Sequence, residues 1–298
     1  MDHEKFPQDQ IKPILELFSS GQIQEALGAV EALIKDYPND SLLFNISGAC
    51  YAGLGQFDTA VKNYKKSLAI KTDYAEAHNN LAGTLQELGQ LDAAVKSYEQ
   101  ALAIKPNYAE AFNNLGIALK ELGQLDTAVN SYKKVLAINP DFAEAHFNLA
   151  VTLQELGQLD DAIKCYEKAI TIKPDYAEAH NNLGNTLTNL DQLDAALVSF
   201  ERALVLKPDI NFLLGQSLHS KMTLCLWDDL PNHLNELTKK INNNEKVITP
   251  FPLLSLIDDP EIQRKTAEIF TNEKYPQSHV LSKIERYPKH KKIRVGYF

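Results

Sequence analysis

One tryptophan and two methionines are all that the 298 residues hold of those types, so the chain lacks the methionine-rich surface that adapts to many partners. Cysteine is almost as scarce. Cys50, Cys165 and Cys225 lie far apart, and none belongs to a C-x-x-C pair or to a cysteine/histidine cluster of zinc spacing. A zinc module is excluded on that spacing, no metal is expected, and the three thiols are expected to be reduced, buried and inert. No stretch approaches the roughly 18 apolar residues that a membrane-spanning helix needs. The opening Met-Asp-His-Glu-Lys-Phe-Pro is charged and leads into no apolar segment of the secretory kind, so a cytoplasmic location without a membrane partner is expected. Positive charge is short as well. Lys and Arg number 30 against 39 Asp and Glu, a formal net charge of -9. Nucleic-acid affinity depends heavily on basic side chains neutralising phosphates, so this balance argues against DNA or RNA as the main partner.

What the chain does have is repetition on an ordinary core-forming composition, 44% hydrophobic. Three consecutive rows are YAEAHNNLAGTLQELGQLDAAVKSYEQALAIKP, YAEAFNNLGIALKELGQLDTAVNSYKKVLAINP and FAEAHFNLAVTLQELGQLDDAIKCYEKAITIKP. Pro106, Pro140, Pro174 and Pro208 recur every 34 residues, Pro38 keeps their phase, and Thr72 fills the vacant slot. Gly21, Gly55, Gly89, Gly123 and Gly157 mark a second register, with Asp191 next in line. Each marker has a mechanical reason. Glycine supplies the left-handed residue that ends a first helix, an acidic residue such as Asp92 suits the N-terminus of the second, and proline stops that second helix because it has no amide hydrogen.

This pattern resembles the tetratricopeptide repeat (TPR), and it predicts an all-α, right-handed superhelix of stacked helix pairs. Six repeats fall at 7–40, 41–74, 75–108, 109–142, 143–176 and 177–210, the first degenerate in the manner of a cap. Residues 211–244 read as a seventh helix pair. Residues 245–298 read as a linker, a basic connector containing Lys283, Arg286, Lys289, Lys291 and Lys292, and one β-strand, KKIRVGYF, so the extension is mixed. Ala94, Ala128, Ala162 and Ala196 recur where two helices must approach closely.

Helical spacing places Ala77, His78, Leu81, Ala82, Leu85 and Leu88 on one packed side of the first helix, with Glu76, Asn79, Asn80, Gly83 and Glu87 opposite. In a TPR stack the second side lines the concave groove. Asn80, Asn114, Asn148 and Asn182 recur at one position, and Glu87, Glu121 and Glu155 at another. An asparagine amide both donates and accepts, so a row of them suits the backbone of an extended peptide without reading its side chains. The glutamates make the groove acidic and favour basic or neutral segments. His78, His146 and His180 also recur, but on the packed side, and Phe112 takes the same slot, which assigns them to structure. Tyr98, Tyr132, Tyr166 and Phe200 form a packing stripe.

The ordered tail LLGQSLHSKMTLCLW, PFPLLSLIDDPEIQ and IRVGYF resembles the passage from repeats into the first catalytic strand of bacterial, SPINDLY-like relatives of protein O-GlcNAc transferase. Leu226 departs from that pattern, where Asp is expected. The resemblance implies that the four asparagines hold acceptor polypeptides and that the parent protein transfers a sugar from UDP-GlcNAc to Ser or Thr. The family's catalytic, UDP-contacting and sugar-binding residues all follow Phe298, so no catalytic or cofactor-binding residue is assigned here and a missing α/β glycosyltransferase domain is expected downstream. A free-standing TPR adaptor is the competing reading. A carboxylate clamp resembles a cluster of Lys and Arg in the groove, whereas Asn79, Asn113, Phe147 and Asn181 stand at those positions. Whether the repeats form a homodimer through their convex face stays open.

Overall fold

The computed structural model describes residues 10–275. The chain divides into two compact units, one reaching to Leu206 and one beginning at Lys207.

The first unit is a run of helix pairs: α1 Ile11–Ser19 with α2 Ile23–Asp36, α3 Ser41–Gly53 with α4 Phe57–Ile70, and α5 Ala75–Glu87 with α6 Leu91–Ile104. Then come α7 Ala109–Glu121 with α8 Leu125–Ile138, α9 Ala143–Glu155 with α10 Leu159–Ile172, and α11 Ala177–Asn189 with α12 Leu193–Leu206. Each helix packs on its neighbours in sequence, and α3, α5, α7, α9 and α11 also touch one another in that order, forming a continuous row of first helices. This is the helix-pair solenoid that the 34-residue period implies.

The turn inside each of the first five pairs closes on a glycine. In α5, the Gly89 N–H donates to Gln86 O at 2.8 Å and the Gln90 N–H to Leu85 O at 2.9 Å, while Gly89 sits at φ 70°. These paired bonds satisfy the last carbonyls of the helix and require a left-handed residue. Asp191 holds the same conformation at φ 58° with a side chain attached, a costlier choice than glycine.

Close approach within a pair depends on small residues under a ring. Ala94, Ala128, Ala162 and Ala196 are wholly buried, and Tyr64, Tyr98, Tyr132, Tyr166 and Phe200 are buried to within 2%. A Cβ added to Gly48, Gly116 or Gly184 would lie 2.7, 2.5 or 2.5 Å from the ring of Tyr64, Tyr132 or Phe200. In the alternate pairs the first helix carries Ala82 or Ala150 there, and the ring hydroxyl donates to Gln86 Oε1 (3.3 Å, from Tyr98) or Gln154 Oε1 (2.9 Å, from Tyr166).

The second unit contains α13 Leu213–Thr223, α14 Leu230–Asn242, α15 Pro250–Leu254 and α16 Pro260–Lys274. Its core joins Leu218, Leu237, Ile241, Val247, Ile248, Leu253 and Ile262, so α13 and α14 share their apolar surface with α15 and α16. The Asp259 carboxylate caps α16 by accepting from the N–H groups of Glu261 (2.9 Å) and Ile262 (3.2 Å). The basic connector and the strand expected at the C-terminus lie outside the described residues.

The cysteines correct one expectation. Cys50 is buried, but Cys165 is only half-buried and Cys225 is exposed. Cys225 stands two residues past Thr223, the last residue of α13, in the left-handed conformation at φ 57°, and so lies outside the helix.

Candidate functional site

The recurring asparagines sit at the seams between successive first helices. Asn80 Nδ2 donates to Asn45 Oδ1 at 3.1 Å, Asn114 Nδ2 to Asn79 Oδ1 at 3.4 Å, and Asn148 Nδ2 to Asn113 Oδ1 at 3.1 Å. The donors are half-buried, while the acceptors Asn45, Asn79 and Asn113 are buried at 8, 5 and 8% exposure. Sequence spacing placed Asn79 and Asn113 beside the donors on one polar face. They lie instead inside the seam, because the neighbouring first helix covers them. Each inter-repeat bond uses one N–H of the donor amide and leaves its second N–H and its Oδ1 outside that bond. Behind this row, Thr84, Thr152 and Thr186 donate to the carbonyls of Asn80, Asn148 and Asn182 one turn earlier, at 3.0, 2.8 and 2.8 Å.

The wiring changes at the seam between α9 and α11. Phe147 occupies the acceptor position there, its ring 4.9 Å from that of Tyr176 and 5.9 Å from that of Tyr166. Asn182 accepts from Asn181 at 3.4 Å and reaches the Tyr166 hydroxyl.

The three predicted glutamates are exposed, and two of them are tied laterally. Glu121 Oε1 accepts from Gln86 Nε2 at 2.9 Å, and Glu155 pairs with Lys120 at 3.4 Å, each bond crossing from one repeat to the next. Nearer the start of the first helices, Glu76 pairs with Lys105 at 3.1 Å and Glu144 with Lys173 at 3.8 Å. Partial burial works to raise the Glu76 carboxyl, and its backbone and Lys105 hydrogen bonds overcome that, leaving it below its ordinary value. The same lysines lie over the rings of Tyr108 (4.3 Å) and Tyr176 (4.8 Å). The charge of this face is therefore partly compensated, which sequence alone did not reveal.

The histidines serve the architecture. Nε2 of His78, His146 and His180 lies 3.1, 3.0 and 3.2 Å from the carbonyl oxygens of Thr72, Pro140 and Pro174, so the ring N–H donates and staples the helix to the loop before it. Phe44 and Phe112 hold the same register without that bond, each instead under a lysine, Lys66 at 5.4 Å and Lys134 at 5.1 Å. Among the described residues, no group of three or more His, Cys, Asp or Glu is arranged to hold a metal ion. No described helix is long and apolar enough to cross a membrane.

Family models agree with this architecture. A TPR-repeat model matches residues 48–89, 84–123, 118–157 and 152–191, and a tetratricopeptide-repeat model matches 177–210. Together they span more than half of the chain, which belongs to the tetratricopeptide-repeat proteins. No curated protein sequence matches it. Among solved structures, MamA is 28% identical with a TM-score of 0.52, over 54% of this chain and 94% of its own. PilW, described as a widely conserved type IV pilus biogenesis factor, is 25% identical with a TM-score of 0.62, over 66% and 92%. YrrB, described as a TPR protein with an unusual peptide-binding site, is 22% identical with a TM-score of 0.53, over 65% and 98%, and shows the fold alone. The chain is a TPR scaffold suited to protein–protein interaction.

Proposed function

We propose that the row of first helices forms a groove that binds an extended protein segment through its main chain, with Asn80, Asn114, Asn148 and Asn182 as the recurring contacts and Glu87, Glu121 and Glu155 along one rim. The observation that carries this reading is the lateral wiring of the donors: each bond to Asn45, Asn79 or Asn113 fixes the orientation of an amide that keeps an N–H and a carbonyl for a ligand. Preoriented groups lose less freedom on binding, so several modest hydrogen bonds of about 0.5–1.5 kcal/mol each add to a useful affinity.

The groove serves as the acceptor-recruiting arm of a UDP-GlcNAc-dependent protein O-glycosyltransferase. The tail motifs LLGQSLHSKMTLCLW and PFPLLSLIDDPEIQ support this enzyme-linked form, through their similarity to that family's passage out of its repeats. A free-standing adaptor is the second reading, favoured by family matches that all fall within 48–210. The test incubates the full chain, and the natural gene product where it extends further, with UDP-GlcNAc and a peptide pool, recording peptide capture and mass gain. Capture by both with transfer by the longer product alone supports the recruiting arm. Capture with transfer by neither establishes the adaptor, and no capture at all overturns the groove.

A further inference from the structure

Three seams of the first-helix row carry the same asparagine pair, and the fourth does not. At α3/α5, α5/α7 and α7/α9 the acceptor is Asn45, Asn79 or Asn113, whereas at α9/α11 it is Phe147. An asparagine at 147 would complete the row, so the aromatic residue gives up a hydrogen bond that its three counterparts make. Departures from a locally consistent pattern are expected where function requires them. The ring is not simply absorbed into the core. Asn45, Asn79 and Asn113 are buried, but Phe147 is half-buried. Its ring packs in tilted contacts against Tyr166, which is wholly buried, and against Tyr176. Phe147 holds the register of Asn45, Asn79 and Asn113, directly before Asn148 of the recurring row.

We infer that Phe147 is the specificity-determining residue of the groove: it selects an extended peptide with an aliphatic side chain at the one position that crosses the α9/α11 seam. This rests on the peptide-binding reading above. The exposed part of the ring offers apolar contact without a hydrogen bond, so a polar side chain placed there is desolvated without compensation. First helices packed about 10 Å apart meet an extended chain roughly every third residue, so the selected position lies at one end of a stretch that is otherwise read through its backbone.

The test is a positional-scanning library of extended peptides about 12 residues long, long enough to cross all four seams, captured by the full chain. The unsubstituted protein should prefer aliphatic over polar residues about tenfold at a single position near one end, and tolerate any uncharged residue elsewhere. Phe147→Asn, which installs the residue found at the other seams, should erase that preference while leaving general capture intact. Phe147→Leu should retain it. A preference that survives Phe147→Asn overturns the inference while leaving peptide binding standing. Capture of no peptide by any of the three proteins overturns the peptide-binding reading and this inference together.

Discussion

Asn148 on α9 donates to Asn113 on α7 at 3.1 Å, so a residue that sequence spacing assigns to a ligand is also a strut between two repeats. In the proposed groove the same amide group would serve both the stack and the ligand. Loss of either role therefore needs its own measurement.

Replacing Asn148 by Ala leaves Asn113 Oδ1, on a side chain 8% exposed, without its donor. A buried acceptor stripped of its partner costs about 1–3 kcal/mol, so the urea-unfolding midpoint should fall by a corresponding amount. Replacing Asn114 and Asn148 together should weaken peptide capture with helical content by circular dichroism unchanged. Undiminished capture by the folded double variant would remove these two amides from the binding site.

Gly83 on α5 and Gly116 on α7, the next first helix, should respond oppositely to alanine. At Gly116 the new Cβ would sit 2.5 Å from the Tyr132 ring, overpacking the pair by about 1–3 kcal/mol. At Gly83 it would meet only the Tyr98 hydroxyl oxygen at 3.6 Å, and the helix would gain about 0.5–1 kcal/mol from the lost flexibility of glycine. Thermal melts of Gly116→Ala and Gly83→Ala should move in opposite directions.

Burial of His180 lowers its pKa below the usual 6.5, with the Arg202 charge acting in the same direction and the bond to the Pro174 carbonyl opposing them. The unfolded chain takes up the proton first as pH falls. The stability that this neutral ring contributes is therefore complete above pH 6.5 and declines as pH drops from there towards the lower folded value. His180→Phe, using the residue that Phe112 provides at the same register, should show a smaller loss of stability between pH 7.5 and 5.5 than the unsubstituted chain in paired urea titrations. Identical losses would show that His180 titrates alike folded and unfolded.

Exposed Cys225 should react with a maleimide in the native protein, whereas buried Cys50, its thiol pushed up to about 11 by desolvation, should react only on unfolding. Mass mapping of labelled peptides before and after denaturation distinguishes the two. Early labelling of Cys50 would show that α3 opens locally.

The helix pairs were legible because their punctuation is local. Gly89 and Pro106 act on their own backbone, and a spacing of 34 carries them through the chain. The seam chemistry was not legible, because it joins residues 35 positions apart, such as Asn114 and Asn79. Nothing in one helix reveals which neighbour will cover its polar side. That is why Asn79 looked like a groove residue, and why Glu121 and Glu155 looked like open charges although Gln86 and Lys120 bind them. Cys225 misled for a related reason: its apolar neighbours suggest a core, while a left-handed φ turns the chain away from it.

Because each asparagine seam bond runs between neighbouring repeats, the row of rungs can be rewritten by changing its length. Excising residues 143–176 would bring α11 against α7, where Asn182 would meet Asn113 in the place that Asn148 now holds. The product would be a shorter row of uniform rungs with its one aromatic member gone. Duplicating the same segment would instead set two aromatic rungs in succession, so an in-frame gain or loss of a single repeat changes the order of asparagine and aromatic rungs without any point mutation.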